Sequence, residues 1–166
     1  MRTARPDGLR IRPAVRAILL TPEADVLLVR FEFPTRTVWA LPGGGVEPHE
    51  DHEAALHREL AEEVGLHGVE LGPHIWDREH IIPFVDGRWD GQLDRFYLTP
   101  VAGRFEPRPT IGWDELRAER LHEIRWWSLA EIETARDTWF APQRLGELLR
   151  ALVVNGPPAD PIQTGV

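Results

Sequence analysis

The sequence contains no cysteine. That excludes disulfides, thiolate zinc sites and a cysteine nucleophile. No apolar run approaches the ~20 residues that a membrane-spanning helix needs. Internal repeats and low-complexity blocks are also missing. The start, MRTARPDGLRIRP, is basic but runs into no apolar core of a signal peptide. Together these absences set the expectation of a cytoplasmic protein. Positive charge is in short supply: 19 Lys and Arg stand against 27 Asp and Glu, for a net charge of −8. Bulk nucleic-acid binding needs a basic footprint and is not expected. A small phosphorylated substrate remains compatible if metal ions screen the site.

What is present suggests one domain. The chain has 166 residues, enough to bury ~two-thirds of its unfolded surface. Residues 1–9 are expected to form a flexible N-terminal segment, 10–153 a single domain, and 154–166 a poorly ordered tail. AVRAILL (Ala14 to Leu20) and DVLLVRF (Asp25 to Phe31), joined by TPEA, read as a hairpin. TVWALP reads as a short strand stopped by Pro42. From about His49 to Val64 a helical period appears: Leu56, Leu60 and Val64 recur at intervals of four. Gly65 is placed to close that helix. VELGPHIWDREHIIPFV reads as one extended strand or two short ones, and QLDRFYLTPV as another. Ala102 to Arg120 is read as mostly loop. LHEIRWWSL leads into a short helix with Ser128 and Glu131 as a capping box, and PQRLGELLRALVV is a final amphipathic helix. The expected order is β, β, β, α, β, β, β, α, α, which suggests an α/β fold with a mixed sheet flanked by helices.

Leu41 to Leu66, LPGGGVEPHEDHEAALHRELAEEVGL, is chemically unusual. Three consecutive glycines precede a segment with seven carboxylates and one arginine. Glu59, Glu62 and Glu63 stand at i, i+3 and i+4, on one helix face with Cβ atoms about 5–6 Å apart. Three carboxylates that close call for a counter-charge. Hard oxygen ligands of this kind suit Mg²⁺ or Mn²⁺, with waters and substrate phosphate completing the shell. Gly43, Gly44 and Gly45 let backbone approach a ligand closely. No Lys-Ser/Thr pair follows them, so this is not a P-loop.

Written out, the spacing is Gly44, five residues, Glu50, seven residues, then Arg58-Glu59-Leu60-Ala61-Glu62-Glu63-Val64-Gly65-Leu66. It resembles the Nudix box, G-x5-E-x7-R-E-U-x-E-E-x-G-U with U apolar, at every defined position. His49 departs from the glycine many members carry just before the first glutamate. The flanking strands and RWWSLAEI extend the resemblance over roughly residues 10 to 150. The resemblance implies an α/β/α sandwich and a divalent-metal-dependent hydrolase. Its substrate would be a nucleoside diphosphate linked to another moiety, cleaved at the P–O–P link. By position, Glu59, Glu62 and Glu63 are then the metal ligands. Glu50 joins through water or holds a ligand in place. Arg58 pairs with Glu47 or Glu50 to orient the acids. The general base is Glu62 within the box, or Glu115, Glu119 or Glu123 on a later loop. Gly43 to Gly45 shape the pocket wall, and Arg30, Phe33 and Arg95 are the candidate substrate contacts outside the box.

Plainer readings compete with each assignment. A charged helix face is ordinarily just solvated, and here the glycine loop and the complete spacing argue otherwise. A Nudix fold kept as a nucleotide sensor or interaction module would be expected to have lost box glutamates, and all are present. His49, His52 and His57 are read as ordinary polar residues. Trp126 and Trp127 are adjacent and face opposite sides of a strand. Phe31, Phe33 and Trp39 serve the core as readily as a base, and Arg30, Arg36 and Arg95 could be surface arginines. A homodimer through the N-terminal arm or late helices is compatible with the sequence. Nucleoside triphosphates, dinucleoside polyphosphates, nucleotide sugars and capped ends all stay open as substrates.

Overall fold

The computed structural model describes residues 5–84 and 86–166. Residues 1–4 of the expected flexible segment lie outside the described residues, as does Val85 at the end of the VELGPHIWDREHIIPFV segment. The first hairpin joins β1 (Ile11–Leu20) to β2 (Asp25–Glu32), which pair antiparallel at Leu20↔Val26. β1 runs parallel to β6 (Gly91–Pro100) over its whole length, from Ile11↔Gly91 to Leu20↔Pro100. β6 carries β5 (His74–His80) on its other side. β2 takes β3 (Thr37–Ala40) and β7 (Leu121–Ser128), both antiparallel. Three shorter strands complete the sheet. β4 (Gly43–Gly45) lies beside β1, β8 (Trp139–Ala141) beside β3, and β9 (Ile162–Gln163) beside β5.

Helices cover both faces, which explains why β1 and β2 read as nearly continuous apolar runs rather than alternating ones. On one face α1 (His52–Val64) sets Ala55, Leu56, Leu60 and Val64 against Val15, Ala17, Leu19 and Tyr97. On the other, α3 (Leu129–Thr134) and α4 (Leu145–Asn155) bury Leu129, Ile132, Leu145, Leu148, Leu149 and Leu152 against Ile18, Trp39, Phe96 and Trp127. The result is the three-layered α/β/α arrangement expected from sequence. Among the described residues, no helix is long and apolar enough to cross a membrane.

Local signals account for the helix ends. Asp51 caps α1, its side chain accepting from the Ala54 N–H at 2.7 Å, so the helix starts three residues later than the apolar period suggested. Gly65 closes it in a left-handed conformation (φ 72°). The Ser128–Glu131 capping box is present in both directions.

The structure departs from the sequence reading at four places. The three glycines form β4 rather than a loop, and only Gly43 has a positive φ, at 144°. Ala102 to Arg120 contains a helix, α2 (Trp113–Ala118), held by Leu116 packing on Val29 and Leu121. β8 adds a strand after α3. At the C-terminus α4 runs on to Asn155, and β9 returns to the sheet with Thr164 buried and its N–H on the Asp77 carbonyl at 2.9 Å.

One detail positions the site. The last carbonyls of a helix lack intrahelical donors. Here the Arg108 N–H donates to Val64 O and the Thr110 N–H to Glu62 O, both at 3.0 Å. The chain leading to α2 is thereby docked onto the C-terminal turn of α1. Gly65 makes room for it, since a Cβ there would sit 2.0 Å from the Arg108 carbonyl oxygen. Gly68 has a similar φ, 63°, but open space around it. Gly68→Ala is therefore expected to cost about 1–2 kcal/mol, the left-handed penalty alone. Gly65→Ala should cost at least about 1 kcal/mol more. Urea unfolding midpoints of the two variants check this, and equal losses would mean that the docked loop yields freely.

Candidate active site

α1 presses its acidic face onto β4. Glu59 and Glu63 are buried, at 8% and 3% exposure, while Glu62 is half-buried. Glu63 accepts from the Gly43 N–H at 3.2 Å. Glu59 occupies the space a side chain at Gly44 would need: a Cβ there would lie 2.5 Å from Glu59 Oε1. At Gly43 a Cβ would meet the Val15 carbonyl at 1.9 Å. A strand of glycines is what lets two carboxylates lie flat against backbone.

Arg58 ties these acids together. Its Nε and Nη2 donate to the two oxygens of Glu50 at 3.1 and 2.5 Å, and Nη2 also reaches Gly45 O at 3.0 Å. Nη1 donates to Glu59 at 2.9 Å and, more weakly, to Glu62 at 3.5 Å. Of the two partners expected for Arg58, Glu50 is the one contacted. Glu50 also receives the Glu47 N–H at 2.9 Å, so Glu47 contributes backbone and not its carboxylate. The Arg58 bond holds the Glu50 carboxyl below its ordinary range. Glu59 and Glu63 go the other way. Burial raises the Glu59 carboxyl despite Arg58. Burial first, then the neighbouring Glu59, raises Glu63 well above its ordinary 4.5, against the pull of Arg16 and the Gly43 N–H.

A cleft of about 420 Å³ opens in front of this face, lined by Glu47, His49, Arg58 and Glu62 on one side and by Ile111, Glu115 and Glu119 on the other. Two of the three later acids thus face the box across the cleft. Glu119, just past the end of α2, feels Glu62 strongly enough that burial and this repulsion raise its carboxyl. Glu123 lies elsewhere, on β7, ion-paired with Arg30 at 2.9 Å. That same pair, together with Glu32, occupies Arg30. Arg95 is also away from the cleft. It stands on the α1 face of β6, beside the Tyr97 phenol and His52. Phe33 is exposed, with the Arg120 guanidinium 5.8 Å over its ring. Trp39 and Trp127 are core residues in edge-to-face contact at 5.1 Å.

Two residues at the site were not singled out from sequence. Arg16 on β1 is anchored by Asp94 (3.0 Å) and donates to the Gly43 and Leu41 carbonyls at 3.1 and 3.3 Å. Arg12, four residues earlier on the same strand face, lies across Gly45. The available signal was the pair of charges at even spacing in the otherwise apolar IRPAVRAILL, since same-face charges in a central strand need a polar reason.

The raised Glu63 value fixes a pH dependence for the metal-free protein. The folded state holds this proton more tightly than the unfolded chain does. Above the folded value, the buried carboxylate therefore lowers stability, and the penalty fades as pH falls through that value toward 4.5. With chelator present, Glu63→Gln is expected to unfold at higher urea than wild type at about pH 8, the difference shrinking toward about pH 5. A less stable variant at the higher pH would mean that the Gly43 hydrogen bond outweighs the desolvation.

Comparison with known proteins agrees with this geometry. The NUDIX domain profile matches residues 10–149. An RNA pyrophosphohydrolase of Sulfurovum sp. (strain NBC37-1) is 40% identical over 95 residues, covering 52% of this chain and 60% of that protein. One of Sphingopyxis alaskensis is 29% identical over 136 residues, covering 76% and 84%. The chain spans about three fifths of the length of several curated relatives it matches, among them an RNA pyrophosphohydrolase of Wolbachia pipientis at 61%. Among solved structures, a MutT NUDIX hydrolase from Burkholderia pseudomallei superposes with a TM-score of 0.61 at 25% identity, over 85% of this chain and 97% of that one. The E. coli ORF135 protein shares the fold, with a TM-score of 0.62 at 23% identity over 94% and 99%. Profile, box and three-layered fold coincide over the same residues, and the chain belongs to the Nudix family.

Proposed function

We propose that the chain is a Mg²⁺-dependent pyrophosphohydrolase that cleaves the diphosphate link of a nucleotide-type substrate, with Mn²⁺ as a substitute ion. The observation that carries this reading is the acidic face of α1: Arg58 ties Glu59 to Glu62, Glu63 is buried beside them on the Gly43 N–H, and Arg58 and Glu62 open onto the cleft. The donor set fits a hard divalent cation. Glu59 and Glu63 are buried carboxylates short of positive charge, and Gly44 leaves their approach to the backbone clear. Among the described residues, no three His, Asp or Glu side chains are gathered into a metal site of their own. The three glutamates would therefore need the ion itself to draw them together, with water and substrate phosphate completing its octahedron.

Bound there, the ion supplies charge neutralisation of the diphosphate and Lewis acidity at phosphorus. The protein's own residues do the rest. Glu59 and Glu63 hold the ion with Glu62, and Arg58 fixes the orientation of the acids. A water attacks one phosphorus, the P–O–P bond breaks, and the departing phosphate oxygen keeps the electron pair. Glu62, half-buried and open to the cleft, accepts the proton of the water. Glu115 and Glu119 face it and are the alternatives. The relatives named RNA pyrophosphohydrolase support a 5′-triphosphorylated RNA end among the substrates. Such an end offers a few phosphates, not the long backbone that a net charge of −8 disfavours.

Product analysis on a panel of nucleoside triphosphates, dinucleoside polyphosphates, nucleotide sugars and triphosphorylated oligoribonucleotides tests the reading. Glu62→Gln and Glu63→Gln are each expected to lower kcat at least ~100-fold, the scale of a positioned acid–base or ligand group. Glu119→Gln should lower it less than ~10-fold. The reverse order would move the base to the end of α2. A wild type that binds nucleotide tightly but releases no phosphate from any substrate would make this a sensor instead.

A further inference from the structure

The two β1 arginines have different surroundings. Arg16 is ion-paired with Asp94 and donates to two carbonyls. Arg12 is not. Its side chain donates to a neutral group, Nη1 to Gln92 Oε1 at 3.2 Å, and among the described residues it forms no ion pair. The side chain is half-buried nonetheless. Three neighbours hold it in place. Gln92 takes one N–H, the Phe84 ring lies 5.8 Å beneath the guanidinium carbon, and Gly45 supplies a bare surface where a Cβ would be 2.3 Å from Nη2. Taking a guanidinium out of water without an anion is unfavourable, and the neighbouring charge of Arg16 adds to the cost.

Anions are near but not in contact. Glu59 and Glu119 both act on Arg12 through space, yet neither comes within ion-pair distance. Glu59 is committed to Arg58, and Glu119 stands on the far wall of the cleft. A gap without direct contact therefore separates its donors from carboxylates close enough to act on its charge. A phosphoryl group fits such a gap. It can present oxygens to the guanidinium fork on one side and share a cation with the carboxylates on the other. Arginine pairs with phosphate in that bidentate way, where lysine acts as a point charge.

We propose that Arg12 is a phosphate-binding residue, holding a non-bridging oxygen of the substrate's diphosphate against the Gly45 wall opposite the box glutamates. The assignment rests on the pyrophosphohydrolase reading and deepens it. It explains why Gly45, whose φ is ordinary, has no side chain. It also gives the phosphate contact that neither Arg30 nor Arg95 is placed to make.

Calorimetric titration with methylenediphosphonate, whose P–C–P link cannot be hydrolysed, in Mg²⁺ buffer provides the test. Arg12→Gln should bind it at least ~10-fold more weakly than wild type, the scale of one lost charge-assisted hydrogen bond. Arg12→Lys, which keeps charge and loses the fork, should fall between the two. Mn²⁺ affinity in the absence of diphosphonate, read by electron paramagnetic resonance, should stay within ~2-fold for both, because Arg12 touches no acid. On a hydrolysed substrate, KM should rise while kcat changes less. Diphosphonate affinity within twofold of wild type in Arg12→Gln overturns the proposal, as does an equal loss of Mn²⁺ affinity, which would mark damage to the acidic face. Should the Gln variant not fold, the Lys variant decides, and wild-type affinity there overturns it. A wild type without turnover on any substrate, but with an intact Arg12 effect on diphosphonate, would sink the hydrolase reading alone.

Discussion

Two carboxylates held out of water against a strand without side chains are the constraint around which the rest of this structure is arranged. Glu59 and Glu63 are buried, one turn apart, and both lie on β4. Such an arrangement is unfavourable in isolation. It persists because α1 is fixed from its opposite side. Leu56, Leu60 and Val64 lock the helix onto Val15, Ala17 and Leu19, so the acidic stripe has nowhere else to go. Apolar packing thus supplies the free energy that keeps the acids crowded. The crowding leaves the face wanting positive charge, which is what the proposed divalent ion would bring.

The protein supplies only part of that charge itself, and in one form. All 19 of its basic residues are arginine. Arg58 and Arg16 each satisfy several acceptors at once, a carboxylate and a backbone carbonyl of the glycine strand in both cases. A planar guanidinium can do this, whereas an ammonium on a flexible stem would not fix the directions. Both therefore serve to aim groups: Arg58 holds the box acids, and Arg16 secures the glycine strand from behind. Neither is free to neutralise the buried pair fully.

What could be read in advance follows from how local each cause is. The helix, its Gly65 end and the set of box acids are decided within a few residues, and the spacing carried them; the Asp51 cap is just as local but was passed over for a start at about His49. β4 was missed because glycine has little strand preference of its own. It is a strand only by pairing with Ala14, Val15 and Arg16. α2 was missed for a similar reason. It is six residues long, its Gly112 N-cap has no side-chain bond, and it is held by one leucine reaching Val29 and Leu121. The partner of Arg30, a candidate substrate contact, could not be read either: it lies 93 residues away, and only the antiparallel β2–β7 register brings Glu123 opposite it. The tail carried no apolar period, and its return to β5 depends on backbone pairing, to which composition is nearly blind.

The same division runs through the site. Its acidic half is local in sequence, one helix and one short strand. Its other half is assembled from afar: Ile111, Glu115 on α2 and Glu119 just past its end. The join is made by backbone alone, where Arg108 and Thr110 cap the last carbonyls of α1. A helix C-terminus needs donors from somewhere. Here they come from the segment that bears the opposing acids, so satisfying the end of the helix and closing the cleft are one event. Apart from Leu116, which seats α2 on Val29 and Leu121, side chains on α2 could then differ without undoing that join, because its hydrogen bonds involve none of them.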